Sequence, residues 1–148
     1  MSREIYVPPG GPPRVERPDP AIYAAMGAEN IIAMLEDFYM LLGASAIAAM
    51  FPQGEDALRE ASRKSAAFFI GLLGGPPVYQ QLYGNPMMRA RHMPFPIDDT
   101  ARRAWLRCFD QVLADAPARY NFPAEHLAGF RAFLDGFSGW MVNRQPME

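Results

Sequence analysis

Apolar residues recur at helical spacing along most of the chain after residue 20. Asp19 and Pro20 form a typical helix start, so a short helix is predicted from there to about Gly27. A second helix follows, and residues 44–51 are expected to add a turn or two of helix before Pro52. The apolar stripe of the second helix consists of Ala28, Ile31, Ile32, Leu35, Tyr39 and Leu42.

Three further helices are predicted, over residues 55–73, from residues 98–100 to Pro117, and from Pro123 onward. The first ends at a Gly-Gly-Pro-Pro run, as glycine followed by proline stops a helix. Their apolar stripes are Leu58, Ala61, Ser65, Phe68 and Leu72, then Ala101, Trp105, Cys108, Phe109 and Val112, then Leu127, Phe130, Leu134, Phe137 and Met141. No segment alternates like a strand, so the predicted fold class is all-α.

Two segments lack a helical period. Residues 1–20 contain six prolines and are predicted to form an extended, polyproline-like arm ahead of a domain over residues 21–148. Either a docking or capping arm or a disordered tail is consistent with that composition. Residues 76–97 contain five prolines and are expected to be a loop-rich insert with one short turn begun at Asn85-Pro86.

Composition narrows the classes of function. The chain has 148 residues, half of them apolar and 20% charged, which indicates one globular domain. Fourteen basic against sixteen acidic residues exclude a strongly cationic nucleic-acid surface. The single cysteine, Cys108, cannot form an intramolecular disulfide. Neither charge-free stretch, residues 38–54 or 65–88, is long and unbroken enough to span a membrane, and with no signal peptide a cytoplasmic location is expected.

Enzyme motifs are mostly absent, which directs attention to the two histidines. His126 lies in the first turn of the last helix, where an exposed surface residue is expected. His92 lies between two arginines and a Pro-Phe-Pro run, in the irregular insert. One interpretation is a half-buried ring that hydrogen-bonds to a loop carbonyl. The other is a neutral imidazole that binds a metal held mainly by another group, and haem fits because the porphyrin supplies four ligands.

Three features favour haem. Ten methionines and eighteen aromatic residues can line a flat apolar slot. Arg89, Arg91 and Lys64 are cations available to the propionates. Tyr39 and Trp105 fall on apolar stripes, so their polar tips are expected to point inward, where they need partners.

The sequence resembles the group II truncated haemoglobins, the two-on-two globins, over Gly27 to about Asn143. The residues that carry the resemblance are Phe38-Tyr39, Phe51-Pro52, Gly74-Gly75-Pro76, the run GNPMMRARHMPFPI at 84–97 and the run RAWLRC at 103–108. This resemblance implies a globin-like 2-over-2 helical sandwich with a loop-rich proximal segment. It also implies bound haem b, which is iron protoporphyrin IX.

The resemblance assigns roles to residues. His92 is the implied proximal iron ligand, its other ring nitrogen held by a backbone carbonyl, and Arg91 and Lys64 pair with the propionates. Phe51 is expected on the haem face, and Met88, Phe95 and Ile97 on the proximal side. The distal residues are Tyr39, Ala61, Ser65, Phe68 and Trp105. Ser65 departs from the pattern, because a larger residue is expected there.

The function that the resemblance implies is the binding of O2, CO and NO at a pentacoordinate haem iron. Donors at Tyr39 and Trp105 would favour superoxide-like oxygen over CO, which suits redox chemistry or sensing better than bulk transport. An NO dioxygenase-like or peroxidase-like side activity and an electron-donating reductase are consistent with this, as are a monomer and a homodimer. The alternative is a globin-fold interaction or sensor module that binds haem weakly or not at all.

Overall fold

A computed structural model describes residues 5–12 and 16–145. Within these residues the chain is helical and contains no strand, which confirms the all-α prediction. The α-helices are α1 (Ala21–Gly43), α2 (Glu55–Leu72), α3 (Val78–Tyr83), α4 (Met88–His92), α5 (Asp99–Leu113), α6 (Ala116–Tyr120) and α7 (Leu127–Met141). Two short 3-10 turns occur at Ala48–Met50 and Ala124–His126.

Acidic side chains accept hydrogen bonds at two of the predicted helix starts, those of α1 and α5. The Asp19 carboxylate accepts a hydrogen bond from the N–H of Ala21 at 2.8 Å. Asp98 caps α5 by accepting from the N–H of Ala101 at 2.8 Å. Within α1, Gly27 has a φ of 74° and a ψ of 166°, so the backbone breaks where the first short helix was predicted to end.

Three predicted segments differ in detail from the structure. The insert at residues 76–97 contains two short helices, α3 and α4, because five or six residues are too few to show a helical period. Pro117 does not end α5, which stops at Leu113, but lies in the first turn of α6, where proline is tolerated. Only a single 3-10 turn forms between residues 44 and 51.

Two helix pairs make the sandwich. Helix α1 packs along α2, α5 packs against α7, and α1 joins the pairs through α5, which is the predicted 2-over-2 arrangement. The end of α2 closely approaches the start of α1, since a Cβ added at Gly75 would lie 2.6 Å from the Tyr23 ring. The N–H of Tyr23 also donates to the carbonyl of Leu73 at 3.1 Å.

The buried face of α2 is rotated away from the stripe that the sequence predicted. The main core contains Ser62, Ala66 and Phe69, which are nearly fully buried, whereas Ala61, Ser65, Phe68 and Leu72 are half-buried. A second, smaller cluster comprises Ile97, Ala101, Met141 and Val142. Of the predicted stripe, Leu58 is buried and Ala61 borders an open space inside the molecule. Ile32, predicted to be on the stripe of α1, is also 36% exposed.

Candidate functional site

A cavity of about 300 Å³ borders both apolar clusters, where α1, α2, α5, α7 and the segment after α4 meet. Seven of the sequence-predicted site residues line it: Tyr39, Phe51, Ala61, His92, Phe95, Ile97 and Trp105. The wall also includes residues to which the sequence assigned no site role: Ile47, Met50, Pro52, Ala101, Arg102, Phe137, Ser138 and Met141. Three of these, Ala101, Phe137 and Met141, are apolar residues of predicted helix stripes, whose pattern indicates burial without distinguishing core from cavity wall.

His92 is the last residue of α4 and is held by a bond to its own helix. Its Nδ1 lies 2.7 Å from the carbonyl oxygen of Met88, one turn earlier. Because a carbonyl can only accept, Nδ1 carries the proton and donates, and Nε2 keeps its lone pair. The ring therefore does hydrogen-bond to a carbonyl, as one interpretation held, and the same bond selects the tautomer that can bind a metal.

Two polar aromatic side chains on other helices, Tyr39 and Trp105, also line the cavity. The Tyr39 ring packs edge-on against Phe38 and Phe51, with centroids 5.8 and 5.7 Å away. Trp105 packs against Phe38 at 5.4 Å and Phe109 at 5.2 Å. These contacts fix both rings through the main core.

The protonation state of Tyr39 follows from its surroundings. Burial raises the pKa of the Tyr39 hydroxyl above its ordinary value, and a hydrogen bond with the Ser65 side chain opposes part of that rise. The hydroxyl is therefore protonated at neutral pH and can donate a hydrogen bond. Ser65 does not line the cavity itself and acts on it through Tyr39.

Two other predicted site residues lie behind the cavity wall. The Phe68 ring stacks on Phe137 with a centroid distance of 5.8 Å, and Phe137 lines the cavity. The Met88 side chain packs against the smaller cluster, while its carbonyl holds His92. Both residues therefore support lining residues.

Two of the predicted cations, Arg91 and Lys64, lie near each other outside the cavity wall. The Arg91 guanidinium donates to the carbonyls of Tyr83, Asn85 and Pro86, and Lys64 lies 5.0 Å from the centre of the Tyr83 ring. Arg91 and Lys64 thus converge on Tyr83 at one edge, although neither lines the cavity.

Two arginines have roles that the sequence did not predict. The Arg89 guanidinium donates hydrogen bonds to the backbone carbonyls of Trp140, at the end of α7, and of Val142, just beyond it. Arg102 does line the cavity, where it donates to Asp135 and to Ser138. The prediction for His126 is wrong, because that side chain is half-buried in the turn before α7.

The donor set at the cavity fits a haem. Among the described residues, no three His, Cys, Asp or Glu side chains cluster closely enough to hold a metal ion. A metal bound to His92 must therefore bring its other ligands with it, as a porphyrin does. The free Nε2 of His92 and the mainly apolar wall that includes Phe51, Phe95 and Ile97 suit such a group.

A family model and a relative of known sequence both match this chain, and both are globins. The bacterial-like globin family model matches residues 21–135. The group 2 truncated hemoglobin YjbI of Bacillus subtilis is 37% identical over 93 residues, which cover 63% of this chain and 69% of that protein.

Solved structures agree with that result. Phosphate-bound Hell's gate globin IV aligns with a TM-score of 0.83 at 36% identity, covering 91% of this chain and 82% of that one. The group II truncated hemoglobin of Bacillus anthracis aligns with a TM-score of 0.73 at 31% identity, covering 84% and 92% of the two chains. The truncated oxygen-avid haemoglobin of Bacillus subtilis aligns at 0.72 and 32%, covering 82% and 98%.

The fold and the cavity together define a truncated globin. More narrowly, the chain belongs to the bacterial-like globin family, and the relatives named group II or group 2 above confirm the predicted resemblance to group II truncated haemoglobins. Membership of this family supports haem and oxygen binding in general. In the part of the chain that the structure describes, every helix falls short of the length or apolar character needed to cross a bilayer.

Proposed function

We propose that the chain binds haem b through Nε2 of His92 and takes O2, CO or NO at the iron. The observation that carries this proposal is the 2.7 Å contact between His92 Nδ1 and the Met88 carbonyl, in the wall of a largely apolar cavity. When bound, ferrous haem supplies an iron atom with one open coordination position for a diatomic gas. The contact pre-selects the ring tautomer and fixes its direction before any cofactor arrives.

Each group of wall residues has a distinct role in the proposal. Phe51, Phe95 and Ile97 provide apolar surface against the flat ring system and keep water from it. Arg91 and Lys64, which converge on Tyr83, are the proposed partners of the carboxylate groups. Arg91 now donates to backbone carbonyls, and a carboxylate would be a stronger acceptor for its guanidinium.

The donors around the cavity favour one kind of diatomic ligand over another. A ligand that gains negative charge, as oxygen does, is stabilised by the protonated Tyr39 hydroxyl and the Trp105 N–H, whereas nearly neutral CO gains little. Such selectivity slows oxygen release. We therefore infer a role in NO or peroxide chemistry, or in sensing, with an electron-donating reductase as partner, in preference to bulk transport. The similarity to an oxygen-avid haemoglobin supports this inference.

The experiment that tests the proposal is an absorption spectrum of the purified protein with added haem, before and after reduction and under CO. We expect a Soret band that indicates five-coordinate ferrous iron and shifts on CO binding. His92→Ala should abolish stoichiometric haem binding, and His126→Ala, the matched histidine control, should retain it. Normal spectra in His92→Ala would refute the assignment.

Two other results of the absorption measurement would support different assignments. A six-coordinate spectrum in the reduced protein without CO would indicate a second protein ligand, for which Met50 and Met141 in the wall are the candidates. A folded parent protein that rejects haem would favour the interaction or sensor module.

A further inference from the structure

Asn143 is a fully buried polar residue just beyond the end of α7, with 0% exposure. Its Nδ2 donates to the carbonyl of Phe95 at 2.9 Å and to that of His92 at 3.3 Å. Its Oδ1 accepts from the N–H of Ile97 at 2.9 Å, and its own N–H donates to the Ile97 carbonyl at 2.9 Å. One side chain thus binds both ends of the segment 92–97.

The neighbours of Asn143 tie three parts of the chain together. The Arg89 guanidinium donates to the carbonyls of Trp140 and Val142 and lies 4.5 Å from the centre of the Trp140 ring. Arg89 also donates to the carbonyl of Tyr6 at 2.8 Å, and the N–H of Tyr6 donates to the carbonyl of Asn143 at 2.9 Å. The proline-rich arm, α4 and the end of α7 therefore meet around Asn143.

We propose that Asn143 is a positioning residue for His92, an inference that rests on the proposed role of His92 as iron ligand. Helix α4 has five residues, which is too short to hold its own shape in water. It also begins after Met87, whose φ of 34° is rare for a residue with a side chain. The bond to Met88 orients the His92 ring within α4, and contacts from outside α4 consequently hold the helix itself in place.

Asn143 supplies those contacts at the backbone of the ligand itself. Its amide holds the His92 carbonyl, and its remaining bonds fix the residues that follow, Phe95 and Ile97, which line the same cavity. The side chain of a metal ligand is oriented most precisely when the residues that support it are themselves hydrogen-bonded and packed. The arm completes this arrangement through the two backbone bonds of Tyr6.

The test compares Asn143→Asp with Asn121→Asp. The first change keeps the oxygen that accepts from Ile97 and removes the amide donor to the His92 and Phe95 carbonyls. The second is a control for removing an amide–carbonyl hydrogen bond, here that of Asn121 to Ala25 at 2.8 Å, at an exposed position outside the cavity wall.

Two readouts are needed. In the haem-free protein, amide hydrogen exchange at His92, Met93, Phe95 and Ile97 should become at least about tenfold faster in Asn143→Asp, because the change removes two hydrogen bonds and turns a buried carboxylate toward two carbonyls. In the haem-loaded protein, haem loss to excess apomyoglobin should rise by about the same factor, and the iron–histidine stretching band should shift or broaden. Asn121→Asp should change both rates by less than about twofold and leave the band in place.

A loss of stability with an unmoved iron–histidine band would show that Asn143 is only structural and would overturn the proposal. Equal exchange rates in the two variants would overturn it as well. If the parent protein binds no haem, the proposed function fails, and the exchange rates alone decide whether Asn143 orders the His92 segment.

A second pair of variants serves if Asn143→Asp does not fold. Tyr6→Pro removes the N–H that donates to Asn143, whereas Tyr6→Ala retains it. Faster exchange of residues 92–97 in Tyr6→Pro than in Tyr6→Ala supports the proposal, and equal rates contradict it.

Discussion

Replacing Tyr39 by Phe isolates the contribution of one hydroxyl to ligand release. The ring is held by edge-on contacts with Phe38 and Phe51, which Phe reproduces, so the cavity keeps its shape. A hydrogen bond to a charged acceptor contributes about 1.5–3 kcal/mol. Because Trp105 remains as a second donor in the same wall, we expect the lower part of that range, about 1.5–2.3 kcal/mol. That corresponds to oxygen release about 10- to 50-fold faster.

The assay is stopped-flow displacement of oxygen by excess CO, with CO release measured on the same samples. CO release should change by less than about threefold, since CO carries little charge for a donor to stabilise. Tyr120→Phe is the matched control, because the Tyr120 hydroxyl is also buried but donates to Asp37 outside the cavity wall. An unchanged oxygen rate, or an equal acceleration for both gases, would refute the reasoning.

Two further predictions concern stability, measured by urea unfolding of the haem-free protein. Gly75→Ala should cost about 1–3 kcal/mol, because the added Cβ would lie 2.6 Å from the Tyr23 ring. Gly129→Ala, where α7 faces open space, should instead stabilise by about 0.5–1 kcal/mol, and equal effects would contradict the packing argument. Burial raises the pKa of Tyr120 above its ordinary value near 10, and its hydrogen bond to Asp37 raises it further. Above pH 10 the unfolded chain releases that proton while the folded chain keeps it, so stability should fall as pH rises, and less steeply in Tyr120→Phe.

Much of the site could be predicted from the sequence because it depends on residue type and local order. His92 stands out as a histidine between cations and an apolar run, and Tyr39 and Trp105 as polar aromatics on apolar stripes. The structure brings these three residues to one cavity. Helices of fifteen or more residues show enough periods to be recognised, and each is found, although α5 ends before Pro117 and α7 begins after Pro123.

What the sequence does not predict depends on partners distant along the chain. Arg89 was expected near the propionates because of its charge, yet carbonyls more than fifty residues away in either direction of the chain accept its hydrogen bonds. Asn143 has no motif around it, and its role comes entirely from tertiary contacts. Arg102 resembles any helix-surface arginine until α7 brings Ser138 beside it. A signal for Asn143 exists only in its position, a polar residue following an apolar helix end.

The bond between Asn143 and His92 also imposes an order on synthesis. The two residues are 51 positions apart, so at typical translation rates the ribosome adds Asn143 about 3–10 s after His92. During that interval the segment that bears His92 lacks the hydrogen bonds that Asn143 supplies to the carbonyls of His92 and Phe95. Haem acquired on the ribosome would therefore meet an unordered ligand, and stable loading belongs after α7 has emerged.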